Sequence, residues 1–179
     1  MKKLIARAAL LLLVPTLASA QDADHQYQGQ GYLFIGAGPT SSPTFHFGGG
    51  GEGFVYKGLG LGGELEHSTQ FWEGASLGTW IGSGDVSYHT RPSTKNRKLE
   101  PFVIGGYTFF VRPGLGLGIA NGGNFGCGIN IWLKEHTALR LEVRDTFGGR
   151  STSVQYESGY TTYTMPQHLV SFRLGLTFR

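Results

Sequence analysis

The sequence predicts an all-β protein: an eight-stranded, antiparallel, up-and-down β-barrel that crosses a membrane. Three observations carry that prediction. Thirty of the 179 residues are glycine, and only 15% are charged; each glycine inside a helix costs about 1 kcal/mol relative to alanine, so so glycine-rich a chain suits strands. The chain opens on a basic, then apolar, then small-residue pattern that marks export. The rest divides into segments of roughly ten residues with period-two alternation, bounded by turn residues.

The opening segment sets the compartment. Lys2, Lys3 and Arg7 precede an apolar run from Ala8 to Leu17, and Ala18-Ser19-Ala20 forms a small-residue cleavage site before Gln21. We read residues 1–20 as a signal peptide, 21–29 as a short N-terminal segment and 30–179 as the barrel domain. No cysteine follows the cleavage site, which excludes lipoprotein processing. Removing the peptide takes away three of the fifteen Lys and Arg, leaving twelve against twelve Asp and Glu. The mature chain is formally neutral despite a sequence pI near 9.1, so nucleic acid is not an expected partner. Cys127 is the single cysteine. It has no internal disulfide partner and reads as a small side chain in a strand. Collagen is excluded by the missing three-residue period, and disorder by the 40% hydrophobic content.

Eight alternating segments follow in order: Gln30 to Ala37, Thr44 to Tyr56, Leu59 to His67, Leu77 to His89, Leu99 to Val111, Asn124 to Leu133, Thr137 to Phe147 and His168 to Phe178. The last two alternate most clearly. Leu139, Leu141 and Val143 share one face, with Arg140, Glu142 and Arg144 on the other; in the final segment Val170, Phe172, Leu174, Leu176 and Phe178 oppose Ser171, Arg173, Gly175 and Thr177. Phe102 to Phe110 permits either phase.

Alternation alone fits a soluble sandwich with the apolar face inside, or a membrane barrel with that face on lipid. Three features favour the barrel. Lys57-Gly58 and Lys134-Glu135-His136 are tight, whereas Arg112 to Gly123 and Gly148 to Pro166 are long, the short-periplasmic and long-extracellular pattern. Tyr32, Phe45, Phe47, Tyr88, Phe109, Trp132, Phe172 and Phe178 fall toward segment ends, as interfacial girdles require. The signal peptide delivers the chain past the inner membrane. The basic turn from Thr90 to Lys98 is the one long connection assigned to the periplasm, and we read it as a solvated turn.

The signal peptide, the eight segments, the glycine-studded Phe102-Val103-Ile104-Gly105-Gly106 and the Leu139-Arg140-Leu141-Glu142-Val143-Arg144-Asp145 strand together resemble the small outer-membrane β-barrel domain family, the OmpA-like and OmpX-like, porin-family proteins. The resemblance covers about residues 28 to 179. It implies the outer membrane of a Gram-negative-type bacterium, contact with outer-membrane lipid and lipopolysaccharide, and recognition of the C-terminal strand by barrel-assembly machinery. Family members typically end on an aromatic residue; here Phe178 is followed by Arg179. The family implies no single function.

With the apolar face outward, Glu52, Glu64, Glu66, Asp85, Arg140, Glu142, Arg144 and Arg173 point into the lumen, together with His46 and Glu100. Leu139, Leu141, Val143, Phe172, Leu174, Leu176 and Phe178 meet lipid. Buried charges need partners, so Arg140, Arg144 and Arg173 are expected to pair with Glu52, Glu64, Glu66 and Glu142. Enzyme chemistry finds no footing. Glu66-His67-Ser68 has the residue types of outer-membrane lipid A deacylases, but those carry His and Ser with one residue between them, on one face; here the two are adjacent and, in a strand, face opposite ways. Gly48-Gly49-Gly50-Gly51-Glu52-Gly53 lacks the Lys and Ser/Thr of a phosphate loop. The six histidines are dispersed, so no metal or other cofactor is implied. The sequence therefore points to a non-enzymatic envelope barrel with a side-chain-filled lumen, structural or acting through its extracellular loops. Loop four carries Tyr156, Tyr160 and Tyr163, a composition suited to surface contacts with a partner the sequence does not name. The alternatives are a narrow channel or small-solute transporter and, behind it, a lipid A-modifying enzyme.

Overall fold

The computed structural model describes residues 29–39, 43–72, 75–90, 98–112, 118–148, 152–156, 159–163 and 168–179. The expected signal peptide lies outside the described residues, as does the N-terminal segment except for Gly29. Ten strands are described: β1 (Gly29–Pro39), β2 (Pro43–Tyr56), β3 (Leu59–Trp72), β4 (Ala75–His89), β5 (Leu99–Arg112), β6 (Gly118–Lys134), β7 (Thr137–Gly148), β8 (Thr152–Tyr156), β9 (Gly159–Tyr163) and β10 (His168–Phe178). Eight of them close an antiparallel barrel in the order β1-β10-β7-β6-β5-β4-β3-β2, and β8 pairs with β9 in a separate two-stranded sheet.

Around the wall each strand pairs with the next in sequence, β7 pairing with β10 past the separate β8–β9 hairpin, and the β1–β10 seam closes the ring, with Leu33 opposite Leu176 and Ile35 opposite Leu174. Closure leaves the barrel no free edge. Lys57 and Gly58 join β2 to β3 with φ of 38° and 90°, the two-residue turn whose twist matches that of the flanking strands. A register shift follows at Phe54/Tyr56, and another at Trp132/Lys134 beside the turn into β7. At this turn end the hairpins are tied to one another. His89 N donates to Gly58 O at 2.8 Å, Trp132 N to Lys98 O at 2.7 Å and Arg179 N to His136 O at 3.2 Å.

The two faces of the wall differ in kind. Leu33 is 64% exposed and Leu65 55%, and Phe125, Leu133, Leu141, Val143, Phe172, Leu174, Leu176 and Phe178 also lie outward and exposed. Leu139 points the same way, half-buried. Inward positions hold Glu, Arg, Asn, Ser, Thr and His, nearly all buried. A polar interior inside an apolar wall is the distribution of a membrane-spanning barrel and the reverse of a soluble core.

Several sequence expectations change. Loop four, read from the sequence as a long connection, contains the β8–β9 hairpin in its backbone, with Thr152 opposite Tyr163. β6 starts at Gly118, so the long connection expected from Arg112 to Gly123 shrinks to residues 113–117; the ladder runs through Arg112–Gly118 and Phe109–Asn121 although the Gly118–Gly123 stretch offers little side-chain alternation. β3 and β4 extend to Trp72 and Ala75 for the same reason, main-chain pairing between Ser68 and Thr79 and onward. The phase of β5 is settled, with Phe102, Ile104 and Phe110 inward and buried, and Val103, Tyr107 and Phe109 outward. Tyr32 and Trp132, expected in the girdles, also point inward and are buried. Each shares the phase of a luminal polar residue, Gln30 or Asn130, and each satisfies its polar tip inside the barrel.

Leu141 and Leu174 face each other across the β7–β10 ladder on the outer wall. Arginine at either position should lower the stability of the bilayer-folded protein by about 2–4 kcal/mol in denaturant titrations on liposomes, if the position lies at mid-depth.

Candidate functional site in the barrel lumen

Three arginines organise the interior. Arg140 and Arg144 project from β7 and Arg173 from the adjacent β10, while Glu64 and Glu66 come from β3, which lies across the ring from β7. Glu142 stands between the two β7 arginines, directly opposite Arg173 in the ladder. All six side chains are nearly inaccessible.

Arg173 reaches across the lumen. Its Nη1 donates to Glu64 Oε1 at 2.8 Å, its Nη2 to Glu66, and its Nε to Ser171 Oγ at 3.1 Å. Arg144 donates through Nε to Glu142 Oε1 at 2.5 Å, and through Nη1 to Glu64 Oε1 at 3.2 Å and Asp85 Oδ2 at 3.3 Å. Arg140 Nε donates to Glu142 Oε2 at 2.8 Å, and its Nη1 stands 3.9 Å from Glu52 Oε1. Glu64 thus meets two guanidinium groups and also accepts from Tyr32 Oη at 2.9 Å. Bidentate and shared contacts of this kind are what allow charge to remain buried.

Packing fixes the arginines as firmly as charge does. The Arg140 guanidinium lies between the rings of Tyr32 and Phe102, 4.2 and 4.0 Å from their centroids. Both rings lie over luminal glycines. A Cβ at Gly50 would meet Tyr32 at 2.7 Å, and one at Gly128 would meet Phe102 at 2.5 Å, so any larger residue would displace the sandwich. Arg173 similarly covers Phe34 at 4.4 Å.

Below the arginines, toward the turn end, a second cluster forms around two carboxylates. Glu52 accepts from Gln30 Nε2 at 2.7 Å and from Ser87 Oγ; Glu100 accepts from Asn130 Nδ2 at 3.2 Å and Trp132 Nε1 at 3.0 Å, and also from Arg179. His89 bridges them, with Nδ1 2.9 Å from Glu100 Oε1 and Nε2 3.1 Å from Glu52 Oε1. Arg179 covers the Trp132 ring at 3.7 Å and closes this mouth. Toward the long-loop end His46 pairs with Glu66 and with Thr44 Oγ1 at 2.9 Å, and Asn124 spans Asp85 at 2.8 Å and Thr108 at 2.9 Å. Ile81, Phe110, Ala120 and Leu169 then form a buried apolar layer.

All eight luminal residues singled out in the sequence therefore sit inside one connected cluster. The residues the sequence reading passed over are Gln30, Tyr32, Ser87, His89, Asn124, Asn130, Trp132 and Arg179. For Ser87 and His89 the signal was available, since both share the phase of Asp85 on β4; β1 and β6 carry no inward charge to mark Gln30, Tyr32, Asn124, Asn130 and Trp132, and Arg179 lies beyond β10. His67 faces outward between Phe47 and Trp80, with ring centroids at 5.3 and 4.8 Å, while Ser68 is buried inside. The pair shares no face. Among the described residues no group of His, Cys, Asp and Glu has the geometry of a metal site.

A closed eight-stranded wall, apolar outside and charge-paired inside, is the fold of the small outer-membrane β-barrels. Solved structures agree. The outer membrane protein OprG from Pseudomonas aeruginosa superposes with a TM-score of 0.65 at 10% identity, covering 86% of this chain and 96% of that one. Neisserial surface protein A gives 0.59 at 9%, covering 84% and 94%. The N-terminal β-barrel domain of Pseudomonas aeruginosa OprF gives 0.52 at 16%, covering 84% and 100%. No protein-family model and no curated protein matches the sequence.

Replacing Arg144 with alanine strands Glu142, Glu64 and Asp85 with fewer cations. The expected loss is about 3–5 kcal/mol where water is well excluded. Adding Glu64→Gln should recover part of it in a double-mutant cycle measured by urea unfolding.

Proposed function

We propose that this chain is a non-enzymatic barrel of the outer membrane of a Gram-negative-type bacterium, exported and cleaved near Ala20, whose filled lumen makes it a rigid scaffold for its extracellular connections. One observation carries this reading. Arginines of β7 and β10 join carboxylates of β3 and β4 across the lumen, so the ion pairs occupy the axis along which a solute would have to pass. Eight strands leave an interior that side chains fill, whereas open aqueous pores need about sixteen.

In this reading the turn end faces the periplasm and the β8–β9 hairpin stands on the outside as the element offered to partners. The outward Leu, Val and Phe residues contact lipid and lipopolysaccharide, and β10, with Phe172 and Phe178, presents the strand that assembly machinery engages. The opposed faces of His67 and Ser68 support a non-enzymatic role.

A narrow channel is the second reading. It is favoured by Gln30 Oε1, Asn124 Oδ1 and Arg144 Nη2, buried polar atoms without a hydrogen-bond partner in the described lumen, where water would be accommodated. Conductance separates the two. Under the scaffold reading the protein fractionates with outer membranes, migrates heat-modifiably on detergent gels and shows no steady conductance in a planar bilayer. Large, reproducible, ion-selective steps from the pure protein would establish the channel instead.

A further inference from the structure

Each connection at the turn end carries a lysine. Lys57 in the β2–β3 turn, Lys98 just before β5 and Lys134 at the end of β6 are all exposed. Among the described residues none of the three has an ion-pair partner; Lys57 Nζ instead lies 4.9 Å from the centre of the Tyr56 ring. Outward-facing Tyr56, Tyr88, Leu133 and Phe178 are exposed at this same rim. Among the described residues the long-loop end differs: outward-facing Asp145 and His168 there lie against each other at 2.8 Å.

The arrangement of the lysines selects the partner. The β2–β3, β4–β5 and β6–β7 hairpins stand at successive positions around the ring, so the three ammonium groups are distributed along the rim and do not converge. Cations placed in this way cannot close on one small anion, but a layer of headgroups meets all of them at once. Lys57 lies over the Tyr56 ring, and exposed aromatic and aliphatic side chains share the rim with all three lysines, the setting in which lysine holds its charge in a headgroup layer above buried apolar surface.

We propose that this rim is a docking surface for anionic phospholipid headgroups of the phosphatidylglycerol type in the leaflet on the turn side. The proposal rests on the membrane reading above. Lipid bound there would seat the barrel at a fixed depth and orientation, with the lysines in the headgroup layer and the Leu-rich wall in the hydrocarbon.

The test folds the full mature chain into phosphatidylcholine bilayers containing a trace of spin-labelled phosphatidylglycerol or spin-labelled phosphatidylcholine. Electron paramagnetic resonance then reports how strongly each lipid associates with the wall. Phosphatidylglycerol should be preferred by about twofold or more at low salt, with the preference approaching parity at high salt. In the triple variant Lys57→Gln, Lys98→Gln, Lys134→Gln the preference should fall by about half or more, with heat-modifiable migration retained. His168→Gln, at the other end, should leave it unchanged. Should the triple variant not fold, Lys98→Gln alone should show a smaller loss in the same direction. Equal association of the two lipids with the wild type, or an undiminished preference in a folded lysine variant, overturns the proposal. A chain that neither migrates heat-modifiably nor immobilises any lipid fails earlier, at the membrane reading, and removes the proposal with it.

Discussion

Charge cannot be buried alone, and an eight-stranded wall leaves its inward-pointing charges nowhere else to go. Closing so few strands directs every second residue into a lumen too narrow for bulk water, so each guanidinium there must find its carboxylates within the same small volume. Arg144 and Arg173 do so by sharing Glu64 and Glu142. Mutual dependence follows: Glu64 holds two arginines and Glu142 three, and Arg144 and Arg173 each hold carboxylates from more than one strand. The result resembles a lattice more than a set of pairs, and it fixes the relative position of walls that no backbone hydrogen bond connects.

Other features of the chain follow from this crowding. Glycine is abundant because rings and guanidinium groups need floor space, as Tyr32 needs Gly50 and Phe102 needs Gly128. Polar residues of moderate size, Ser87, Thr108, Asn124 and Asn130, fill the gaps that larger ones would overpack. The outer face carries mostly Leu, Val, Ile and aromatic residues, with His67, Asp145 and His168 among its few polar side chains. The two ends are finished differently, one by the apolar layer of Ile81, Phe110, Ala120 and Leu169, the other by Arg179 lying on Trp132.

Much of this was legible in the residues because a strand in a barrel obeys one rule, alternation, and β7 and β10 obey it strictly. Leu139, Leu141 and Val143 against Arg140, Glu142 and Arg144 reveal both faces without reference to any other strand. Legibility fails where side chains stop carrying the pattern. Between Gly118 and Gly123 the strand is held by main-chain pairing with β5, which no side-chain period announces. Aromatic residues mislead for a different reason. Tyr32 and Trp132 suit an interface as well as a lumen, and only their phase relative to Gln30 and Asn130 distinguishes the two. The β8–β9 hairpin falls in a stretch rich in Ser, Thr and Tyr, where composition suits a loop and a strand alike.

The sequence distances inside the lumen have a bearing on how the chain reaches this state. Arg144 and Glu64 lie 80 residues apart, and Arg173 is 109 from Glu64 and 107 from Glu66. None of these contacts can form in a single hairpin or in any neighbouring pair of hairpins, and those of Arg173 require β10, the last strand of the ring. A partly assembled sheet therefore keeps, of its arginine contacts, only the local ones of Glu142 with Arg140 and Arg144, and leaves Glu64 and Glu66 without their arginines on a curved but open surface. Only when the β1–β10 seam shuts are both sides enclosed, so ring closure and the neutralisation of Glu64 and Glu66 become a single late event. Such a chain gains little from halfway states and has reason to close all at once.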